Sequence, residues 1–368
     1  MKNLAFFLSA LLFVIGSLRA TDAPGMLRVL THDRTIPREV CQEFTQKTGI
    51  PVDITTAISS VEAADFIYTK KQRFDLLLLA NDIVVALRDE ERLLPFDPQK
   101  IPTLPRIKMK WRQALSDPHG KFRLPLDVTS MGILVDRRIS QPVITGYMDA
   151  FRKPRPGGVT VMVDQRDFLA AALLSLGASV NDLSPDNLNA ARVILKDWLR
   201  NTSPSSKQIW SNGHTPAFEA MRSAIVQGRH GAALIYSGDA ISLMTEFPDR
   251  YDWINPTEGS LKYITVFAIP QDSARPEAAQ KLIEFLLDPK IARQLAVEPG
   301  FGLHLLAPWS KFPLAFDGHP GELQASQLMD HFSVQANITR EPLQELEALF
   351  KSLPAPTAPP APPAPPAP

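Results

Sequence analysis

The pattern that most constrains the fold is a repeated alternation of short apolar runs with segments of helical spacing. The apolar runs of strand length are 27–30, 51–54, 74–79, 158–163, 232–236 and 263–269. The segments of helical spacing are 36–48, 61–70, 82–93, 168–176, 184–200, 214–227 and 276–287. This alternation predicts an α/β fold in which helices flank mostly parallel sheets. No period of 20–50 residues repeats, which argues against solenoids and propellers.

The amino-terminal end departs from this pattern. Residues 1–20 combine a basic second residue, an apolar run from Leu4 to Ile15 and a small residue, Ala20, before a polar segment. These features are typical of a cleaved secretory signal peptide. A membrane anchor is the alternative, but spanning a bilayer takes about twenty apolar residues. No cysteine directly follows the apolar run, which disfavours a lipid anchor. We therefore expect export to the periplasm.

The carboxyl-terminal end, residues 353–368, is the second exception. Nine of the 34 prolines lie in the last fifteen residues of the chain. Because proline has no backbone N–H to donate, this stretch cannot form a helix or a sheet strand. The composition predicts a disordered Pro/Ala-rich tail with extended polyproline-II character, and a segment that docks on a partner is the alternative.

The charge balance and the motif content exclude several functions. The chain has 39 basic and 39 acidic residues, and nucleic-acid binding needs a basic surface instead. Its single cysteine, Cys41, excludes an intrachain disulfide framework, and no two histidines have metal-ligand spacing on one element. The nucleophile-elbow, zinc-protease, phosphate-loop and dinucleotide motifs are absent from the sequence. We expect no enzyme activity, no cofactor and no metal.

Polar side chains at the ends of two predicted strands are the candidate ligand contacts. Asp164 and Asp167 lie where the strand at 158–163 turns into a helix, and Tyr236 ends the strand at 232–236. Ligands of open α/β sheets bind outside the carboxyl ends of strands. The structural alternative is that Asp164 caps the helix and that Tyr236 is a core residue.

Several ordered segments carry a resemblance to a known family. Residues 44–52 (FTQKTGIPV), 164–173 (DQRDFLAAAL), 233–240 (ALIYSGDA) and 258–270 (EGSLKYITVFAIP) follow one another at the family's spacing. The second resembles an Asp-Ala-Arg-Glu segment, the third a Trp-(Asn/Ser)-Gly-Asp-Ala strand end, and the fourth a Glu-Gly…Ala-Ile-Pro segment. Together they resemble the spermidine/putrescine-binding branch of the extracellular solute-binding proteins, from Leu27 to about Phe350.

The resemblance implies an α/β fold of two lobes, type II-like among periplasmic binding proteins. Each lobe is a mostly parallel sheet flanked by helices, and hinge crossings join the lobes. By position, the first lobe comprises 26–127 plus 266–303, and the second comprises 128–265 plus 304–352. The implied function is to bind a polyamine, or a related organic cation, in the cleft and to deliver it to an inner-membrane ABC permease. We expect a monomer that does not bind nucleic acid.

The resemblance also implies which residues contact the ligand. The paired acids are Asp164 and Asp167, and the aromatic contacts are Tyr236, Tyr263 and Phe301. The amino-terminal contacts align with His32 and Thr35, and Asp82 follows the third strand. Thr265 takes the place of an aspartate that grips an amine in the family.

Other functions are compatible with the same residues. A binding protein of the same fold could take a hydroxylated compound or an anion through Thr129, Ser130 and Thr265. The chain could instead be a sensory module that presents its ligand to a membrane receptor, or an envelope enzyme that uses an acid pair.

Overall fold

The computed structural model describes residues 25–32, 35–57, 60–107, 117, 119–139, 143–206, 214–296, 303–304, 332–333, 345 and 348–357. The predicted signal peptide, Phe301 and most of the predicted tail lie outside these residues. Where the chain is described, no helix is long and apolar enough to cross a bilayer.

The described strands join into one mixed sheet. They are β1 (Leu27–His32), β2 (Val52–Ala57), β3 (Leu76–Ala80), β4 (Leu93–Leu94), β5 (Leu124–Asp136), β6 (Val159–Val161), β7 (Ala232–Tyr236), β8 (Tyr251–Ile254), β9 (Ser260–Pro270), β10 (Leu303–His304) and β11 (Phe332–Ser333). The main path through the sheet runs β2-β1-β3-β9-β5-β7-β6.

Helices connect most of these strands and confirm the predicted α/β class. They are α1 (Arg38–Thr48), α2 (Ser60–Ala64), α3 (Asn81–Asp89), α4 (Tyr147–Arg152), α5 (Gln165–Ser175), α6 (Pro185–Trp198), α7 (His214–Val226), α8 (Ser237–Glu246), α9 (Pro276–Leu286) and α10 (Pro289–Ala296). The predicted helix at 61–70 is divided, because α2 continues as a π-helical turn over Asp65–Thr69. The predicted helix at 168–176 begins three residues earlier, because Asp164 caps it.

The sheet contains both parallel and antiparallel pairs of strands. β1 pairs in parallel with β2 and with β3, and β6 pairs in parallel with β7, as βαβ connections require. β9 is antiparallel to β3 and to β5, and β5 is antiparallel to β7. The pattern did not predict β5 as a strand, because Pro125, Asp127 and Gly132 interrupt its apolar run. The pairing of β5 with β9 shifts register between Pro125 and Asp127, at the proline that lacks an N–H.

The apolar residues pack into two large cores and one smaller core. The first core takes residues from 27–128 and then from 264–295. The second takes residues from 131–261 together with Leu349, and the third lies around Trp253. β5 passes from the first core to the second between Val128 and Met131, and β9 passes from the second to the first between Leu261 and Ile264. Two adjacent, paired strands therefore belong to both large cores.

The last described residues lie against the second core. Leu353 packs on it, Pro356 is buried, and the Thr357 N–H donates to the Leu199 carbonyl at 3.0 Å. Within the segment that was predicted to be a disordered tail, Leu353, Pro356 and Thr357 therefore make defined contacts.

One position on β5 gives a test of how closely its neighbours approach. A Cβ atom added at Gly132 would lie 2.3 Å from the ring of Trp253, a residue that is 6% exposed. We expect Gly132→Ala to lower the free energy of unfolding by about 1–3 kcal/mol, because the ring has little room to move. Urea unfolding measures the change. Val193→Ala, at a residue that is 69% exposed on α6, is the control and should change stability by less than about 0.5 kcal/mol. Equal losses in the two variants would contradict the close packing.

Candidate functional site

Asp164 begins the site because it positions the first turn of α5. The aspartate follows β6 in an extended conformation, and its Oδ1 accepts a hydrogen bond from the backbone N–H of Asp167 at 2.9 Å. This side chain satisfies one of the amide donors that a helix leaves open at its start. The structural alternative for Asp164 therefore holds, and the cap fixes the direction in which Arg166 and Asp167 leave the helix.

Asp167 is buried against two tyrosines from neighbouring strands. The carboxyl group is 2% exposed, and its Oδ2 accepts a hydrogen bond from the hydroxyl of Tyr236, the last residue of β7. The ring of Tyr263 on β9 lies edge-on to the ring of Tyr236, with 5.7 Å between centroids and an angle of 89° between planes. Three residues that the sequence predicts as ligand contacts therefore meet at one point.

Burial governs the protonation of this cluster. Removal from water, together with the nearby charge of Asp164, raises the pKa of Asp167 to about 8. The Tyr236 and Tyr263 hydroxyls and Arg166 act in the opposite direction, but more weakly. Burial, followed by the proximity of Asp167, also raises the pKa of each tyrosine well above its usual value. Asp167 therefore holds its proton at neutral pH and can give it up when a cation approaches.

A third acid approaches from the first core. Asp82 lies in the first turn of α3, and its Oδ2 is 3.4 Å from Nη1 of Arg166 on α5. The two side chains are only 11% and 12% exposed. Burial raises the pKa of Asp82, Arg166 opposes this shift, and the charge of Asp164 adds to it. Asp82 and Asp164 thus face the same space although they belong to elements of different cores.

His32 and Thr35 are used by the fold itself. His32 Nε2 accepts a hydrogen bond from the Ala80 N–H at 3.1 Å, and its Nδ1 lies 3.4 Å from the Ala57 carbonyl. The imidazole thereby joins the ends of β1, β2 and β3, and burial lowers its pKa. Thr35 Oγ1 donates to the His32 carbonyl at 2.9 Å. His32 lies near Asp164, whose charge opposes the lowering of its pKa. The polar atoms of both side chains nevertheless hold the strand ends in place.

Thr265 lies where the three central strands meet. It pairs with Ala80 of β3 and with Asp127 of β5, and it is half-buried. Since alternate residues of a strand face the same side, Thr265 shares the face of β9 that carries Tyr263. The structure thus brings Thr265 toward the tyrosines.

Sequence reasoning missed Arg166. Arg166 lies between Asp164 and Asp167 in the segment 164–173, which carries the family resemblance. From the sequence, only the two acids were predicted as ligand contacts. A signal was present: a guanidinium in the first turn of a helix opposes the positive end of the helix dipole, so it calls for an acidic partner elsewhere. That partner, Asp82, is 84 positions away.

The arrangement suits a positively charged ligand group. Carboxylates accept charge-assisted hydrogen bonds from an ammonium, and tyrosine faces attract cations and pack against methylene chains. No group of three His, Cys, Asp or Glu residues that could hold a metal ion occurs in the described part of the chain.

The buried proton on Asp167 gives a pH-dependence that can be measured. Because the carboxyl titrates near pH 8 in the folded chain and near 3.9 when unfolded, the folded state binds more protons between these values. The free energy of unfolding should therefore fall as pH rises from about 4 to about 8, by up to about 1.4 kcal/mol per pH unit, and level off above pH 8. Asp167→Asn should remove this contribution, and urea unfolding at pH 5–9 measures it.

The matched control for this experiment is Asp186→Asn, which changes an exposed acid in the first turn of α6. Its stability should run parallel to that of the wild type over the same pH range. A constant stability difference between wild type and Asp167→Asn from pH 5 to pH 8 would contradict a protonated Asp167.

Comparisons with known proteins identify the family and the fold. A spermidine/putrescine-binding periplasmic protein of Escherichia coli is 25% identical over 273 residues, which cover 72% of this chain and 74% of that protein. A spermidine/putrescine ABC transporter substrate-binding protein from Streptococcus pneumoniae superposes with a TM-score of 0.68 at 21% identity, covering 89% of this chain and 97% of that one. A lipoprotein of Treponema pallidum gives a TM-score of 0.69 at 19% identity, with coverage of 89% and 98%. The two structures establish the shared fold.

The sequence profile of a family described as bacterial extracellular solute-binding protein matches residues 39–302, and the predicted resemblance is confirmed. With its periplasmic-binding-protein fold and a match over most of its length, this chain belongs to the bacterial extracellular solute-binding protein family.

Proposed function

We propose that this protein is the periplasmic substrate-binding component of an ABC importer and binds a polyamine or a related organic cation. The observation that carries the proposal is the buried Asp167, which lies against two tyrosine rings and close to Asp164. The protein would bind its ligand without converting it and would pass it, as a monomer, to an inner-membrane permease. The names of the curated relatives support this ligand class, since the Escherichia coli protein is named for binding spermidine and putrescine.

The ligand would lie between two lobes, 26–127 plus 266–303 and 128–265 plus 304–352. The change of core along β5 and β9 supports these boundaries, because both strands leave one core and enter the other near the predicted crossings. β10 supports a third crossing, since Leu303 pairs with Val128 and His304 pairs with Asp127. The three crossings would then lie side by side and could bend together.

An ammonium group would be held at the second lobe. It would donate hydrogen bonds to the carboxylate that Asp167 becomes when its proton leaves, and Asp164 would add a second carboxylate. The rings of Tyr236 and Tyr263 would cover the adjoining methylene groups, with a cation–π attraction of about 0.5–2 kcal/mol for each ring. At the crossing, Thr265 offers a hydroxyl where the family has an aspartate, so the far end of the ligand would be held differently from that of a typical diamine.

A second candidate ligand is a solute that carries both an amine and a carboxylate. The observation in its favour is the guanidinium of Arg166, which lies in the same site and could hold a carboxylate. Titration with 1,4-diaminobutane, spermidine, butylamine and 4-aminobutanoate distinguishes the two, since only the second candidate requires the carboxylate.

The acid pair can be tested by removing its charge while keeping its shape. We expect the double variant Asp164→Asn, Asp167→Asn to bind its amine about ten- to a hundredfold more weakly, because it loses a charge-assisted hydrogen bond. Asparagine still caps α5, so the fold should be retained. Isothermal titration at pH 8.5, where Asp167 is mostly ionised in the wild type, gives the largest contrast. Asp186→Asn is the control, and an unchanged affinity in the double variant would place the ligand elsewhere.

The hinge arrangement predicts closure on ligand binding. With bending at Leu126–Thr129, Tyr263–Val266 and Leu303–His304, the two lobes should approach each other around the ligand. Small-angle scattering should therefore show a smaller radius of gyration in the presence of saturating amine. An unchanged radius, under conditions where titration shows full binding, would contradict the hinge.

A further inference from the structure

The ion pair between Arg166 and Asp82 differs from the other strongly buried ion pair in the described residues. Arg250 and Asp136 are 11% and 1% exposed, belong to one half of the molecule, and meet through Nε and Nη2 at 2.9 Å. The distance from Arg166 Nη1 to Asp82 Oδ2 is 3.4 Å. The Arg166 contact is therefore the longer of the two.

Asp82 keeps an unused acceptor in this pair. Its Oδ1 is buried and makes no hydrogen bond of ordinary geometry to the residues that the structure describes, although the Ile83 N–H lies close enough to lower the Asp82 pKa. A buried carboxylate oxygen without a donor is costly, so Asp82 gains when a further donor arrives. The Asp82 carboxylate can therefore accept a hydrogen bond in addition to its contact with Arg166.

The pair also joins elements that need not move together. Asp82 begins α3, whose buried residues lie in the first core, whereas Arg166 begins α5, whose buried residues lie in the second. Asn81, the neighbour of Asp82, accepts a hydrogen bond from the buried guanidinium of Arg123 at 2.7 Å, which fixes the start of α3. Asp82 is therefore rigidly presented, and the contact with Arg166 depends on how the two halves meet.

We propose that Arg166 is a tethered cation that occupies Asp82 whenever the two lobes close, and that a second ammonium group of a ligand must displace it. This inference rests on the proposed function. Arg166 then determines specificity: a monoamine needs only the Asp164 and Asp167 end, whereas a diamine must also compete with Arg166 for Asp82. The guanidinium lowers the affinity for diamines and leaves that for monoamines nearly unchanged.

Titration of 1,4-diaminobutane and butylamine into wild type and Arg166→Gln tests this assignment. We expect the variant to bind the diamine at least tenfold more tightly and butylamine within threefold of wild type. Arg166→Lys keeps the cation and should resemble wild type. Arg222→Gln, which breaks a more exposed ion pair with Glu246, is the control for loss of a positive charge elsewhere and should change neither affinity.

A second pair of variants separates competition at Asp82 from a general change of charge. In the Asp82→Asn background, the further change Arg166→Gln should no longer tighten diamine binding, because the Asp82 carboxylate for which the guanidinium and the ammonium compete has been removed. A tenfold gain that persists without Asp82 would overturn the inference, since it would reflect long-range electrostatics. Each variant is first compared with wild type by thermal unfolding. If Arg166→Gln does not fold, weaker diamine binding by Asp82→Asn than by wild type, with butylamine unchanged, supports the inference, and equal diamine binding overturns it.

The outcomes also distinguish this inference from the proposed function. If wild type binds the diamine and Arg166→Gln binds it equally or less tightly, the inference fails and the proposed function stands. If neither protein binds either amine, both fail. If 4-aminobutanoate binds wild type and Arg166→Gln abolishes that binding, Arg166 holds a ligand carboxylate and is not a competitor.

Discussion

The backbone pairing of β5 with β9 is the interaction on which the rest of the structure depends. These strands are 13 and 11 residues long, lie side by side, and contribute to both large cores. Their hydrogen bonds fix the register between the halves, because a slip by one residue would reverse the face of every side chain. The same register sets Thr265 beside Asp127, while the pairing of β9 with β3 sets Thr265 beside Ala80. Because β5 also pairs with β7, Tyr236 comes to lie against Tyr263. The candidate site is assembled by these two strands, although few of its residues lie on them.

The site combines negative charge with burial, and that combination explains its chemistry. Three carboxyl groups in water would all be ionised at neutral pH. Here burial keeps a proton on Asp167, and Asp82 has a guanidinium beside it. Both arrangements reduce the electrostatic repulsion among the three carboxyl groups. Each can also be reversed by an incoming cation, so these acids remain able to attract a positively charged group.

Local sequence patterns predicted much of the fold and part of the site. Apolar runs in the sequence predicted the strands β1, β2, β3, β6 and β7. Helical spacing, together with end signals such as Gly49 after α1, predicted the helices between them. Asp164, Asp167 and Tyr236 were found because they stand at strand ends, where α/β proteins bind ligands. β5 was missed because its strand character comes from its partners and not from its own alternation. The structural roles of His32 and Thr35 were missed because their partners, strand-end backbone groups, have no signature in sequence.

By itself, the sequence determined the α/β class, the elements that alternate along the chain, the family, and the acids and tyrosines at the strand ends. These features depend on residues within a few positions of one another, where side-chain period, capping and turn chemistry act directly. Only the tertiary structure decided that Arg166 lies against Asp82, that His32 joins three strands, and that Asp167 is buried deeply enough to keep its proton. Those outcomes depend on how much water the complete fold removes and on contacts between residues far apart in the chain. Neither quantity is encoded in any short segment.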